Sequence, residues 1–246
     1  MKGISRRGLL AVFFLVVLGL VCLACATAPQ PQGKGGSPMT DLSRIDHVIL
    51  GIGDLQKGTA ELERLTGVRA VFGGAHPGRG TQNALISLGG NHYLEILAPN
   101  PEERGNRDAD ELRGLTALTP IGWAVRSEDL PALQQRLRSR GVPTGEIRPG
   151  GRNLPDGTRL AWKTLAYGEP SSPLLPFFID WGRGGAHPSA TSPGGCRLAG
   201  LSLQDPAPDT LRQPLEAAGL QVEVREGREP RIRLSLVCPQ GDVELP

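Results

Sequence analysis

The apolar and polar positions of this chain repeat one pattern three times: a short apolar strand, an aspartate, an amphipathic helix, a glycine, then more strands. The first copy opens at Ile45-Asp46-His47-Val48-Ile49-Leu50. Asp54 then precedes a stretch with Leu55, Leu62 and Leu65 at helical spacing, and Gly67 follows. The second opens at Ile121-Gly122-Trp123-Ala124-Val125; its helix follows Asp129, carries Leu130, Leu133 and Leu137, and stops at Gly141. The third opens at Arg197-Leu198-Ala199-Gly200-Leu201; its helix follows Asp209, carries Leu211, Leu215 and Ala218, and stops at Gly219. An aspartate side chain accepts the free amide protons of a first helical turn, and glycine tolerates the left-handed residue that closes a last one.

Strands are predicted after each helix. In the first copy they are Val68–Phe72, Thr81–Leu88 and His92–Leu97, and in the second Thr144–Ile147, Arg159–Ala166 and Leu175–Trp181. In the third they are Gln221–Val224, Arg231–Val237 and Val243–Leu245. One four-stranded sheet with one helix leaves its other face bare; two such units side by side bury it. The expected fold class is therefore α+β, with paired βαβββ modules at residues 44–182 forming a half-open barrel. A Gly/Pro/Ser-rich linker at 183–195 and a third, smaller βαβββ module at 196–246 complete it.

The start of the chain reads as targeting. Arg6 and Arg7 precede an apolar run from Leu9 to Leu23, too short for a typical spanning helix and right for a signal core. Ala24, Ala26 and Ala28 supply the small residues of a cleavage site. Residues 1–28 are read as a signal peptide or N-terminal membrane anchor, and 29–43 as a flexible linker. Ser5-Arg6-Arg7-Gly8-Leu9-Leu10 is similar to a twin-arginine signal, and Leu23-Ala24-Cys25 to a lipoprotein site. Each alternative places the body outside the cytoplasm, periplasmic or anchored facing outward.

Composition narrows the function classes. Gly 34 and Pro 22 in 246 residues mean many tight turns. A formal net charge of +2, with no basic stripe interleaved with aromatics, argues against a nucleic-acid partner. The partners expected are a small-molecule ligand, the membrane through the N-terminal segment only, and a homodimer as an open alternative. No Ser-His-Asp or Cys-His arrangement has supporting local context. Cys196 begins the third copy's first strand and Cys238 closes its third. In an oxidising compartment they can form a disulfide; two buried free thiols are the competing reading.

Asp46-His47-Val48-Ile49, the stretch from Gly73-Gly74-Ala75-His76-Pro77 through Gly80-Thr81-Gln82-Asn83-Ala84-Leu85, Tyr93-Leu94-Glu95, Pro176 to Trp181, and His187-Pro188-Ser189 resemble the glyoxalase-like domain family of the vicinal oxygen chelate superfamily. The likeness covers most of Ile45–Ser189. It implies a divalent metal inside the barrel, with each module giving one ligand from its first strand and one from its last. Register then offers His47 and Glu95 from the first module, Gly122 and Asp180 from the second. Gly122 has no side chain, so the implied metal set is His47, Glu95 and Asp180, with His187 as a further candidate. Such an oxygen-rich set suits Mn²⁺, Mg²⁺ or Ni²⁺, with Zn²⁺ also admitted.

Glu95 is the candidate catalytic group of a metal-dependent lyase or isomerase. The candidate substrate-binding residues are His76, Arg79, Asn83, Tyr93, Trp123, Trp162, Phe178 and His187. Arg79 offers a planar fork for an anion in a glycine-rich loop from Gly73 to Gly80, and His187 lies in a segment able to fold over the barrel mouth. Two further readings stay open: a metal-free binding module, and an envelope interaction protein without catalysis.

Overall fold

The computed structural model describes residues 39–103, 105–154, 157, 159–170 and 172–246. The signal or anchor at 1–28 and residues 29–38 of the linker lie outside them. Among the described residues no helix is long and apolar enough to cross a membrane.

The first module runs β1 (Ile45–Gly51), α1 (Leu55–Thr66), β2 (Val71–His76), β3 (Thr81–Gly89) and β4 (His92–Pro99). A helix absent from the expected pattern, α2 (Arg107–Arg113), leads into the second module. That module runs β5 (Thr119–Arg126), α3 (Leu130–Ser139), β6 (Arg148–Asn153), β7 (Arg159–Leu165) and β8 (Phe177–Asp180). A short turn of helix, α4 (Pro188–Thr191), precedes β9 (Arg197–Asp205), α5 (Asp209–Ala217), β10 (Glu223–Glu226), β11 (Arg231–Cys238) and β12 (Gly241–Leu245).

Local chemistry sets the helix ends. Asp54 accepts from the Lys57 amide and Asp129 from the Ala132 amide, so both act as N-terminal caps. Gly67, at φ 74°, takes the left-handed closing position of α1. The third helix departs from the expectation: Asp209 is its first residue rather than its cap, and its side chain binds Arg212.

The eight strands of the first two modules form one sheet in the order β2-β3-β4-β1-β5-β8-β7-β6. In each half the first strand runs parallel to the last, β1 with β4 and β5 with β8. Antiparallel pairing of β1 with β5 joins the halves. The sheet curls into a nearly closed barrel, with β2 and β6 approaching from its two ends. The third module keeps the βαβββ order along the chain and pairs its strands differently. Its sheet order is β10-β9-β11-β12, so the strand after the helix lies parallel beside the first strand.

Two strands fall later than the apolar runs suggest. β2 begins at Val71 and extends through Gly73 and Gly74, and β6 begins at Arg148, past the expected Thr144–Ile147. Glycine weakens a strand without forbidding it, and hairpin pairing to β3 and β7 carries both segments.

The apolar core lies outside the barrel wall. Val48, Leu50, Leu94, Trp123, Val125 and Phe178 belong to one buried cluster that extends into the third module. That module is fastened to the barrel: Tyr167 donates to the Pro214 carbonyl at 3.1 Å, and Arg136 to the Ala218 carbonyl at 2.9 Å. Cys196 and Cys238, next to each other across β9 and β11, are joined in a disulfide. With the apolar residues turned outward, the alternate positions of each strand carry polar groups into the barrel.

Candidate functional site

The site begins at a bulge. The pairing of β1 with β5 slips between Ile45 and His47. Ile45 therefore joins the outer core, out of phase with His47, whereas simple alternation puts the two on one face. The bulge buries Asp46 completely, and four donors surround its carboxylate. His47 Nδ1 lies 2.8 Å from Oδ1; Trp181 Nε1, His187 Nε2 and Arg126 Nε lie 3.1, 3.2 and 3.3 Å from Oδ2. Burial pushes the Asp46 pKa up, but the bonds and charges of His187 and His47 outweigh it and hold the acid well below its ordinary 3.8.

An ionised Asp46 sets the His47 tautomer. Nδ1 faces that carboxylate, and Nε2 on the other side of the ring points into the barrel toward Glu95. Tyr93 stacks on the ring at 4.5 Å and Phe177 meets it edge-on at 5.5 Å. Burial keeps the Tyr93 phenol well above its usual pKa, and thus protonated.

Glu95 Oε2 lies 3.7 Å from His47 Nε2. Its other oxygen accepts from Asn83 Nδ2 at 2.6 Å. Asn83 is oriented from behind, because Arg152 donates to its Oδ1 at 2.8 Å. The second Asn83 amide proton faces His76 Nε2 at 3.3 Å, and His76 Nδ1 lies 2.9 Å from the Thr81 hydroxyl. Burial holds His76 below its ordinary pKa, hence neutral. Desolvation opposes charge on Glu95, yet His47, His76, Asn83 and Arg152 together hold it below its ordinary 4.5. Gly73 has a structural reason here. A Cβ at that position would stand 2.4 Å from both Arg152 Nη1 and Asn83 Oδ1, so only glycine lets this link cross between the barrel's two ends.

Of the expected site residues, the structure gathers His47, Glu95, His76, Asn83, Tyr93 and His187. Trp162 joins them through Trp181, its ring 5.3 Å away. His187 does close over the barrel, touching Tyr93 and Trp181 as well as Asp46. Three expectations are corrected. Trp123 and Phe178 belong to the outer core; Phe177, one residue earlier, is the ring that faces inward. Asp180 pairs with exposed Lys163 on the outer face, and its carboxylate caps the Gly182 amide. Arg79 is exposed on the β2–β3 turn. Sequence reasoning missed Asp46, Arg152 and Phe177. The first needs the bulge to turn inward, and the second arrives from a strand whose start was misplaced.

The same register decides the metal question. Opposite His47, Val48 and Ile49 on β1 stand Ala124, Trp123 and Gly122 on β5. The two-fold relation between the halves therefore equates His47 with Gly122. Glu95 pairs with Ile49, and Phe177 pairs with Ala124, so Phe177 occupies the place of Glu95. Both ligand positions of the second half are empty of donors. Among the described residues no group of three or more His, Cys, Asp or Glu side chains is arranged to hold an ion. The residues present do not fit the divalent metal that the fold implies, and the expected set of His47, Glu95 and Asp180 is not assembled.

In place of the second imidazole stands a glycine. Gly122 faces inward beside Ile49, and a Cβ there would meet only Ile49 Cδ1, at 3.7 Å. Two open hollows of about 250 and 430 Å³ lie instead on the third module, lined by none of the site residues.

A half-polar, half-apolar barrel of two βαβββ units defines a protein of the vicinal oxygen chelate class. A family model described as "Glyoxalase-like domain" matches residues 45–219, and the chain belongs to that family. The match runs into the third module, further than the sequence motifs reach. No curated protein sequence matches the chain. Among solved structures, a hypothetical protein from Staphylococcus aureus is similar at 14% identity and TM-score 0.58, covering 82% of this chain and 98% of that one. Methylmalonyl-CoA epimerase from Mycobacterium tuberculosis is similar at 20% identity and TM-score 0.42, covering 59% of this chain and 90% of that one. The Streptomyces coelicolor enzyme (Q60A) with bound 2-nitronate-propionyl-CoA gives 18% and 0.42, over 58% and 97%.

Proposed function

We propose that this chain is an exported, small-molecule-binding member of the glyoxalase-like family whose ligand sits inside the barrel, over Gly122, without a metal. The observation that carries this reading is the asymmetry of the barrel wall. The first half brings Glu95, His47 and Asn83 to one place; the second half opposes them with Phe177 and the space above Gly122. A few convergent polar groups against an aromatic wall are what a small-molecule site requires. Export rests on the N-terminal sequence and is supported by the Cys196–Cys238 bond, since oxidising compartments preserve such links.

Chemistry at this site is acid–base. Asp46 positions His47 so that Nε2 can take a proton from a bound group, and ionised Glu95 stands beside the charge that forms. An isomerase or lyase step fits these groups. The test is to fill the seat. Gly122→Leu should keep the fold, because its Cβ meets only Ile49 Cδ1 at an ordinary 3.7 Å, and should abolish ligand-induced stabilisation in a thermal-shift screen of small metabolites. A ligand that stabilises this variant as well as the natural chain would place binding elsewhere.

A further inference from the structure

A cation without a counter-ion lies buried in the barrel. Arg152 enters from β6 and is only 5% exposed. A guanidinium carries five N–H donors. One of them, on Nη1, goes to the oxygen of the Asn83 carboxamide, which is neutral. Among the described residues no carboxylate forms an ion pair with Arg152, and no other side chain accepts from it. Glu95 is near enough to favour its charge, but Asn83 stands between the two, with Nδ2 on Glu95 and Oδ1 on Arg152. Burial opposes the Arg152 charge more than Glu95 supports it. Arg126, by contrast, meets Asp46 at 3.3 Å. Among the described residues every fully buried side-chain polar atom has a partner, so the Arg152 nitrogens that bond nothing border open space.

A buried charge is costly until a counter-charge arrives. The parallel N–H groups of a guanidinium match the two oxygens of a carboxylate. One unpaired guanidinium offsets one negative charge; a doubly charged phosphate would bring a second to the neighbourhood of Glu95. The walls beside Arg152 are apolar. Leu160 stands opposite it on β7 and is buried. Gly150 shares its face of β6, and Trp162 lies over that glycine, where a Cβ would stand 2.3 Å from the indole Nε1.

We infer that Arg152 is the anion anchor of the barrel, and that the ligand is a singly charged carboxylate whose apolar body packs against Leu160 and Trp162. This inference rests on the barrel-binding reading and adds to it the class of ligand.

Four probes of similar shape separate the two claims: benzoate, phenyl phosphate, benzyl alcohol and benzylammonium, titrated into the full chain in metal-free, phosphate-free buffer and followed by NMR. Benzoate should bind at least about ten-fold more tightly than the other three. Arg152→Gln, which keeps an amide donor but no charge, should erase that preference. Gly122→Leu should remove binding of all four. Another probe that binds as tightly as benzoate, or a benzoate preference that survives Arg152→Gln, overturns the inference and leaves the barrel as the binding place. Should Arg152→Gln fail to fold, the ranking of the four probes on the natural chain decides alone. Failure of all four to bind, or binding that survives Gly122→Leu, overturns both.

Discussion

The two halves of the barrel share one backbone plan and differ in what they place inside it. The first half holds two carboxylates, two imidazoles and a carboxamide; at the positions related to His47 and Glu95 the second half holds a glycine and a phenylalanine. Duplicated modules need only their outward apolar residues to keep the fold, because that is where the core lies. Inward positions are free to diverge, and here they have diverged into opposite chemistries. One half lines the barrel with polar groups and the other with an aromatic ring and a glycine.

The comparison can be broken by undoing it. Restoring the two-fold pair with Gly122→His and Phe177→Glu should create a four-ligand centre with His47 and Glu95. We expect one equivalent of Ni²⁺ or Mn²⁺ at about micromolar affinity, roughly 8 kcal/mol of binding that the natural chain lacks. Elemental analysis and titration calorimetry read it directly. One tight equivalent in the natural chain would erase the difference between the halves.

The faces of a single strand sharpen the same point. Phe178 is fully buried in the outer core, and Phe177, its neighbour, is only partly buried beside His47. Phe178→Ala should cost about 4 kcal/mol and Phe177→Ala about half that. The second should disturb the His47 ring resonances; the first should not. Equal costs in urea unfolding would mean that the strand's inward and outward faces are not distinct.

Asp46→Asn comes next. The amide presents its own protons to a site where His47, Trp181, His187 and Arg126 all donate. Removing the charge at the centre of a buried network should cost about 3 kcal/mol. Ile121, its counterpart in the second half, has no such partners, and Ile121→Ala should cost about 1 kcal/mol. Similar losses for the two would deny Asp46 its role.

How much of this was legible in the sequence follows from periodicity. The module order and the inward direction of Glu95, Tyr93 and Asn83 were readable, because alternation along an unbroken strand is a strong rule. Where the rule was applied without a fixed register it failed. Phe178 and Asp180 lie on the outward phase of β8, which the sequence does not reveal, since a short strand after an irregular loop carries no internal reference. Trp123 follows inward-facing Gly122 on β5, so alternation turns it outward into the core. Asp46 was hidden by a bulge that no residue type announces, and the third module's strand order was hidden because two pairings share one order along the chain.

The smallest expected effect concerns pH and separates His76 from the two carboxylates. Burial, the leading cause, holds folded His76 below its ordinary 6.5, only partly offset by Glu95. As pH falls through about 6.5 the unfolded chain takes up a proton at this residue and the folded chain does not, so the unfolded state gains and stability falls. Asp46 and Glu95 have folded pKa values below their ordinary 3.8 and 4.5. Their contribution is complete above that range and is lost only as pH drops beneath it, through the folded values. The His76 window opens at higher pH than the carboxylate window. His76→Gln should therefore flatten the stability curve where it first falls below about pH 6.5 and leave in place the acid limb that the carboxylates produce. Urea unfolding of both chains across this range is the measurement. The effect should be smaller than that of any substitution above, because one neutral ring changes state. Parallel curves for the natural chain and His76→Gln would mean that this imidazole is not held neutral by the barrel, and the polar half would lose one of its acceptors.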